Sequence, residues 1–214
     1  MALNNVESLF AASLQDSDLS AKQKAVLRAS LTLFADKGYD RTSTADIARL
    51  AGVSEGTVYK RFKTKRDIFE AITTPFVDQV LPTAAGEFFK EISTAGFPDF
   101  RSLLTFAVHD RIVFGLANRR ELKIFVQEIV ADPQMFNALA ARASQLFTKG
   151  LAPLFKQFQD TGELVQWDAI RIGRYIISTV LGYVLPSVIA RTPEQNVDQA
   201  TQEIVEFLLK GLHP

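Results

Sequence analysis

Lys60, Arg61, Lys63, Lys65 and Arg66 put five cations into seven positions. Such density suits the phosphates of a nucleic acid better than it suits a reaction, which needs acids, bases and nucleophiles at converging positions. The cluster closes a stretch, Ser20 to Arg66, with 11 basic residues against four acidic ones, a net charge of +7. Over all 214 residues 24 Lys+Arg balance 24 Asp+Glu, so the remainder carries −7. A small basic unit joined to a larger acidic one points to a polyanion partner for the first and a different partner for the second. Lys65 and Arg66 also stand in the first turn of an expected helix, where the macrodipole disfavours cations by about 0.3–1 kcal/mol each. A DNA phosphate against that helix start accounts for them, because it accepts from cations and from free backbone N–H groups alike. A solvated charge run is the alternative.

Groups that other chemistries need are scarce. The absence of Cys excludes a disulfide framework, a thiolate zinc site and a cysteine nucleophile. His109 and His213 are too few and too far apart for the usual histidine metal clusters, so neither a metal nor a cofactor is expected. No G-x-S-x-G elbow, G-x-x-x-x-G-K-[ST] phosphate loop or G-x-G-x-x-G turn occurs, and His109 is the sole candidate for a buried general base. A helical enzyme using His109 is therefore the weakest functional class. The first 21 residues hold no Lys or Arg, so the positive start of a secretory signal is missing. The longest apolar stretch, Tyr175 to Ala190, is 16 residues and falls short of the roughly 20 that cross a bilayer. The expectation is a buried helix in a cytoplasmic protein with no membrane partner.

Helical periodicity runs through the chain and no alternating run argues for strands, so the fold class is all-α. Residues 1–19 read as a polar, partly disordered leader, 20–80 as a basic helical domain, and 81–214 as a second helical domain. With no long linker between them, the two are expected to share a helix or a packed interface. Ser20 to Lys37 forms one helix ended by Gly38. Ser43 opens a short one with Asp46 three residues on, facing Ile47, Leu50 and Ala51 inward, and Gly52 stops it. Ser54 caps the next, which buries Val58 and Phe62, and Thr64 starts another with Asp67 at its third position. Pro75, Pro82 and Gly86 predict a kink or an end after Lys65. Further helices are expected over Phe97 to Ala117, Arg119 to Val130, Pro133 to Gly162 and Asp168 to Ala190. Thr192-Pro193-Glu194-Gln195 reads as the cap of the last helix, which ends at Gly211.

Two short helices joined by a tight glycine turn, with small Ala48 where they cross and Ile47, Val53 and Val58 beneath, make residues 43–62 a helix-turn-helix. The run from Gly38 to Phe62, GYDRTSTADIARLAGVSEGTVYKRF, resembles the DNA-binding signature of the TetR family of bacterial transcriptional regulators, and the likeness extends from about Ser20 to Val80. It departs from the family pattern at Arg61, where His is usual, and a cation there still meets a phosphate. The resemblance implies a homodimeric, ligand-responsive regulator, most often a repressor, on double-stranded DNA. It also implies backbone-phosphate contacts by Ser43, Thr44, Thr57 and Tyr59. Arg61 and Lys65 supply phosphate-binding charge, Gly56 allows close approach to the groove, and Ala45, Glu55 and Lys60 are the candidate base readers.

The acidic remainder says less. The apolar helix carrying Ile176, Val180 and Val184, and the last helix with Val197, Ile204, Phe207 and Leu208, suit the four-helix dimer interface that the resemblance implies; a monomer core fits the same pattern. Phe106 and His109 share a stripe with Asp110, Arg111 and Phe114 beside it, the mixture an internal ligand cavity needs. With Phe125, Phe147 and Tyr175 as further walls, it predicts an aromatic or lipophilic effector. A core histidine with a buried Asp–Arg pair explains the stripe equally well. A helix-turn-helix protein that binds DNA or protein constitutively, without a ligand, is the nearest competing function.

Overall fold

The computed structural model describes residues 5–190 and 196–214, and every regular element among them is helical. The α-helices are α1 (Val6–Gln15), α2 (Ala21–Lys37), α3 (Thr44–Ala51), α4 (Glu55–Arg61), α5 (Lys65–Pro75), α6 (Leu81–Ala95), α7 (Phe100–Ala117), α8 (Arg119–Ala131), α9 (Pro133–Leu146), α10 (Ala152–Asp160), α11 (Ala169–Ile189) and α12 (Val197–Leu212). The expected cap at Thr192 to Gln195 lies outside the described residues; Asn196 caps α12 by accepting from the Gln199 N–H.

The chain forms two compact units, drawn differently from a split at residue 80. The first holds residues up to 84 together with 120–136; the second holds 85–119 and 137–214. The divisions fall inside α6, α8 and α9, so the units do share helices.

In the first unit the expected polar leader is a packed helix. Val6, Phe10 and Leu14 recur every four residues on α1 and are buried, and α1 lies against residues 76–80. Val26, Leu27, Leu31 and Phe34 of α2 form the core with Ile47 of α3, Val58 of α4 and Ile68, Phe69 and Ile72 of α5. The break expected near Pro75 and Pro82 is a single widened π-turn, Phe76–Val80, which carries α5 into α6. Pro82 has no N–H for the carbonyl four residues back, and widening the turn relieves the clash of its ring with that carbonyl. The same device, Phe147–Leu151 ahead of Pro153, divides the expected 133–162 helix into α9 and α10. Phe125 of α8 stacks on Phe76 within this first unit.

In the second unit α7 packs against both α11 and α12. α7 starts at Phe100 rather than Phe97 because the Asp99 carboxylate caps it, accepting from the Ser102 N–H at 2.7 Å. A Cβ on Gly115 would lie 2.5 Å from Val184 Cγ1, so this glycine lets α7 and α11 approach closely. α11 runs for 21 residues between the expected bounds, Asp168 capping its start, and so extends beyond the 16-residue apolar stretch to include Arg171 and Arg174. By length and composition it is apolar enough to cross a membrane, which removes the argument from shortness.

Candidate nucleic-acid interface

Local chemistry builds the helix-turn-helix. Ser43 and Asp46 form a reciprocal capping box, the Ser43 Oγ accepting from the Asp46 N–H at 3.1 Å and the Asp46 carboxylate accepting from the Ser43 N–H. Asp46 also holds Arg49. The Ser43 hydroxyl donates to Asp46 and the cap N–H to the same group, which keeps that carboxyl below the ordinary aspartate range. Gly52 ends α3 in the left-handed region at φ +67°, its N–H donating to Ala48 and Arg49, and Val53 donates to the Ala48 carbonyl at 3.0 Å. Ser54 then caps α4, accepting from the Thr57 N–H at 3.2 Å and pairing with the Thr57 hydroxyl at 2.9 Å. Ile47, Ala48, Val58 and Phe62 are buried as the pattern requires. Leu50 is not: at 53% exposed it overturns the inward assignment, since the two-turn α3 buries only the side occupied by Ile47 and Ala48.

The outer side is continuous across both helices. The Thr44 hydroxyl lies 2.8 Å from that of Tyr59, tying the first residue of α3 to the exposed face of α4. Ser43 and Ala45 flank the tie on one helix, and Glu55, Gly56, Lys60 and Arg61 are exposed on the other. Tyr59 points outward, 48% exposed. The Arg61 guanidinium sits 6.0 Å from the Phe62 ring centre. The face thus offers hydroxyls, a bare helix start and two exposed cations, the donor set that phosphates and base edges take.

Lys65 and Arg66 are placed otherwise. The Lys65 ammonium donates to the carbonyls of Tyr39 (2.8 Å) and Thr42 (3.1 Å) and lies 4.2 Å over the Tyr39 ring. Arg66 reaches Glu128 of α8 with both terminal nitrogens, one at 3.2 Å, and Glu70 with Nε at 2.9 Å. These carboxylates raise the guanidinium pKa further, the Glu128 hydrogen bonds first. Cations at a helix start therefore have partners inside the protein, and Lys65 is corrected from a phosphate contact to a tether of the loop before α3. Glu128 was missed; the signal for it is a carboxylate on the apolar stripe of Ile124 and Phe125, which demands a cation.

Residues 26–72, covering α2 to α5 but for the first turn of α2 and the end of α5, match the family model of bacterial regulatory proteins, tetR family. Over those residues the chain is similar to the TetR family of regulators. An uncharacterized HTH-type transcriptional regulator of Mycobacterium tuberculosis is 28% identical over 160 residues, 71% of this chain and 74% of that protein. A putative TetR-family transcriptional regulator from Mesorhizobium loti superposes with a TM-score of 0.69 at 18% identity, covering 90% of this chain and 97% of that one. The transcriptional regulator FadR from Bacillus subtilis, solved with stearoyl-CoA, gives 0.60 at 18% identity, covering 88% and 98%. These structures share its fold.

The C-terminal candidates scatter. Arg111 lies 3.9 Å from the Phe88 ring centre and 4.6 Å from that of Phe114, its Nε donating to Asp110 at 2.8 Å. Burial lowers the Arg111 pKa despite Asp110. Phe147 packs on the backbone of α11 at Gly173 and meets Phe89 edge-on. Asp110, Arg111 and Phe114 connect to Phe147 only through Phe88 and Phe89, whose ring centres lie 5.6 Å apart in the second unit. Phe125 does not join them, because its ring fills the core of the first unit. Tyr175 is exposed beside Trp167, and Phe106 packs on Phe97. His109 is neither core nor wall: it is half exposed, 3.5 Å from the Asp198 carboxylate. Of the interface candidates, Val180, Val184 and Leu208 are core residues and are withdrawn, because the outward side of α11 and α12 carries Ile177, Leu181 and Phe207 instead. Ile176 and Val197 are half-buried, and Ile204 with Phe207 lines a shallow groove of about 280 Å³ beside Thr179, Gly182, Tyr183 and Glu203.

Proposed function

We propose that this protein is a cytoplasmic repressor of the TetR family that binds an inverted-repeat operator as a homodimer and releases it when a lipophilic or aromatic effector binds. The observation that carries the DNA-binding half is the Thr44–Tyr59 tie, which joins Ser43 to Ala45 and Glu55 to Arg61 into one exposed surface. Ser43, Thr44, Thr57, Tyr59 and Arg61 hold phosphates; Gly56 admits the groove; Ala45, Glu55 and Lys60 read bases.

Dimerisation is supported by apolar side chains left outward on adjacent helices, Ile177, Leu181 and Phe207, around the groove of α11 and α12. Charged Glu203 and Glu206 beside them favour a protein partner over lipid. Effector binding is supported by the Arg111 and phenylalanine neighbourhood and by the fold shared with a regulator solved with stearoyl-CoA.

The test is footprinting of DNA flanking the gene, with stearoyl-CoA as the first effector titrated in. Protection of an inverted repeat, lifted by the thioester, supports the whole proposal. Protection that no lipophile lifts leaves a constitutive DNA-binding protein. No protection at moderate salt overturns the operator claim.

A further inference from the structure

Glu128 is a buried carboxylate, its side chain 7% exposed, on a helix that follows α7 in sequence yet belongs to the DNA-binding unit. Its partner is Arg66, which is held on three sides: by both oxygens of Glu128, by Glu70 at 2.9 Å, and by the Phe69 ring at 5.4 Å. Arg66 is joined through one peptide bond to Lys65, and Lys65 grips the carbonyls of Tyr39 and Thr42. Thr42 is itself buried, its hydroxyl donating to the Gly38 carbonyl at 2.9 Å. The next residues are Ser43, the α3 cap, and Thr44, the one bonded to Tyr59.

We infer that Glu128 is a positioning residue for DNA binding: through Arg66 and Lys65 it fixes the 39–42 loop, and with it the α3 start and the Thr44–Tyr59 tie. The inference rests on the DNA-binding reading of that face. A carboxylate at this depth costs several kcal/mol of desolvation unless it is paired. A packed apolar residue would fill the position without that cost, so stability does not account for a forked Arg–carboxylate pair here. The fork fixes both distance and angle, which a point contact does not. A second ion pair, Arg120 with Asp36 at the end of α2, holds the start of the same helix against the same unit. α8 is thereby fastened to the first unit on both sides of Phe125, which stacks on Phe76.

Three variants of the full-length protein decide it: Glu128→Gln, Arg66→Gln, and the double variant, which leaves no unpaired buried charge and so folds even where Arg66→Gln, stranding the Glu128 carboxylate, does not. Operator affinity and its salt slope are measured for each against the wild type on the footprinted sequence. Each variant is expected to lose roughly 5- to 30-fold in operator affinity, the double variant no more than either single one. The salt slope stays at the wild-type value, because no phosphate contact is removed. Tighter binding with a steeper slope in Glu128→Gln, or a slope shallower by about one in Arg66→Gln, would make Arg66 a phosphate contact held in reserve and overturn the inference. Wild-type affinity in the double variant overturns it too. If the wild type binds no duplex at all, the DNA-binding reading itself fails first, and the positioning role with it.

Discussion

Asp46 and Asp67 show how far single residues are legible. Each lies three positions after a hydroxyl residue at a helix start, and the structure closes both capping boxes, at Ser43 and at Thr64. Such pairs are readable because both partners sit within one turn of chain. The partners of Lys65 and Arg66 are not, since they come from 26 and 62 residues away, and no local pattern names them. Both caps favour the ionised carboxylate, so Asp46 and Asp67 titrate below their ordinary value of 3.8, the Ser43 and Thr64 hydroxyls being the first cause. A depressed folded pKa gives stability that is fully present above 3.8 and lost as pH falls through the lower folded values. Acid titration followed by far-UV circular dichroism is expected to show α3 and α5 weakening below about pH 4. Asp46→Asn with Asp67→Asn should be weaker at neutral pH and less dependent on acid; an unchanged acid transition would contradict the capping role.

At the scale of elements, periodicity locates helices well and misjudges their faces and joints. α3 and α4 fall where their caps and Gly52 place them, while Leu50 turns outward because burial depends on neighbours that the α3 pattern does not contain. α1 escaped notice because its stripe of three buried residues is short and its partner, residues 76–80, lies more than sixty positions on. The π-turns escaped because proline was read as a break, whereas one wider turn absorbs it. Gly52 carries the sharpest local demand. It holds φ +67° with nothing near its Cβ position, so Gly52→Ala adds backbone strain of about 1–2 kcal/mol and no clash. The melting temperature should fall by about 2–8 °C, since 1 kcal/mol shifts a protein of this size by about 2–4 °C. A variant as stable as the wild type would mean that the turn between α3 and α4 relaxes without cost.

Across the whole molecule, the all-α architecture and its N-terminal helix-turn-helix were legible because they rest on a local signature and on periodicity. The allocation of α8 to the DNA-binding unit, and the inward turn of Val180, Val184 and Leu208, were not, since either side of an apolar helix can serve as its core. The distinction predicts opposite outcomes. Phe207→Glu and Leu181→Glu place charge on exposed positions and should give folded monomers in sedimentation. Leu208→Glu buries that charge in the protomer core, at a residue 2% exposed, and should give insoluble protein. A Phe207→Glu protein that stays dimeric would move the interface away from the outer side of α11 and α12.

The most direct measurement of the central claim is fluorescence-anisotropy titration of an operator duplex and a scrambled duplex between 50 and 200 mM salt, a range chosen as roughly that over which phosphate contacts dominate affinity. The α3–α4 face predicts operator binding about 10³-fold or more tighter than scrambled DNA. It also predicts a steep loss of affinity with salt that becomes shallower by about one unit in Arg61→Ala. Equal affinity for both duplexes, with a slope that Arg61→Ala leaves unchanged, would contradict the account.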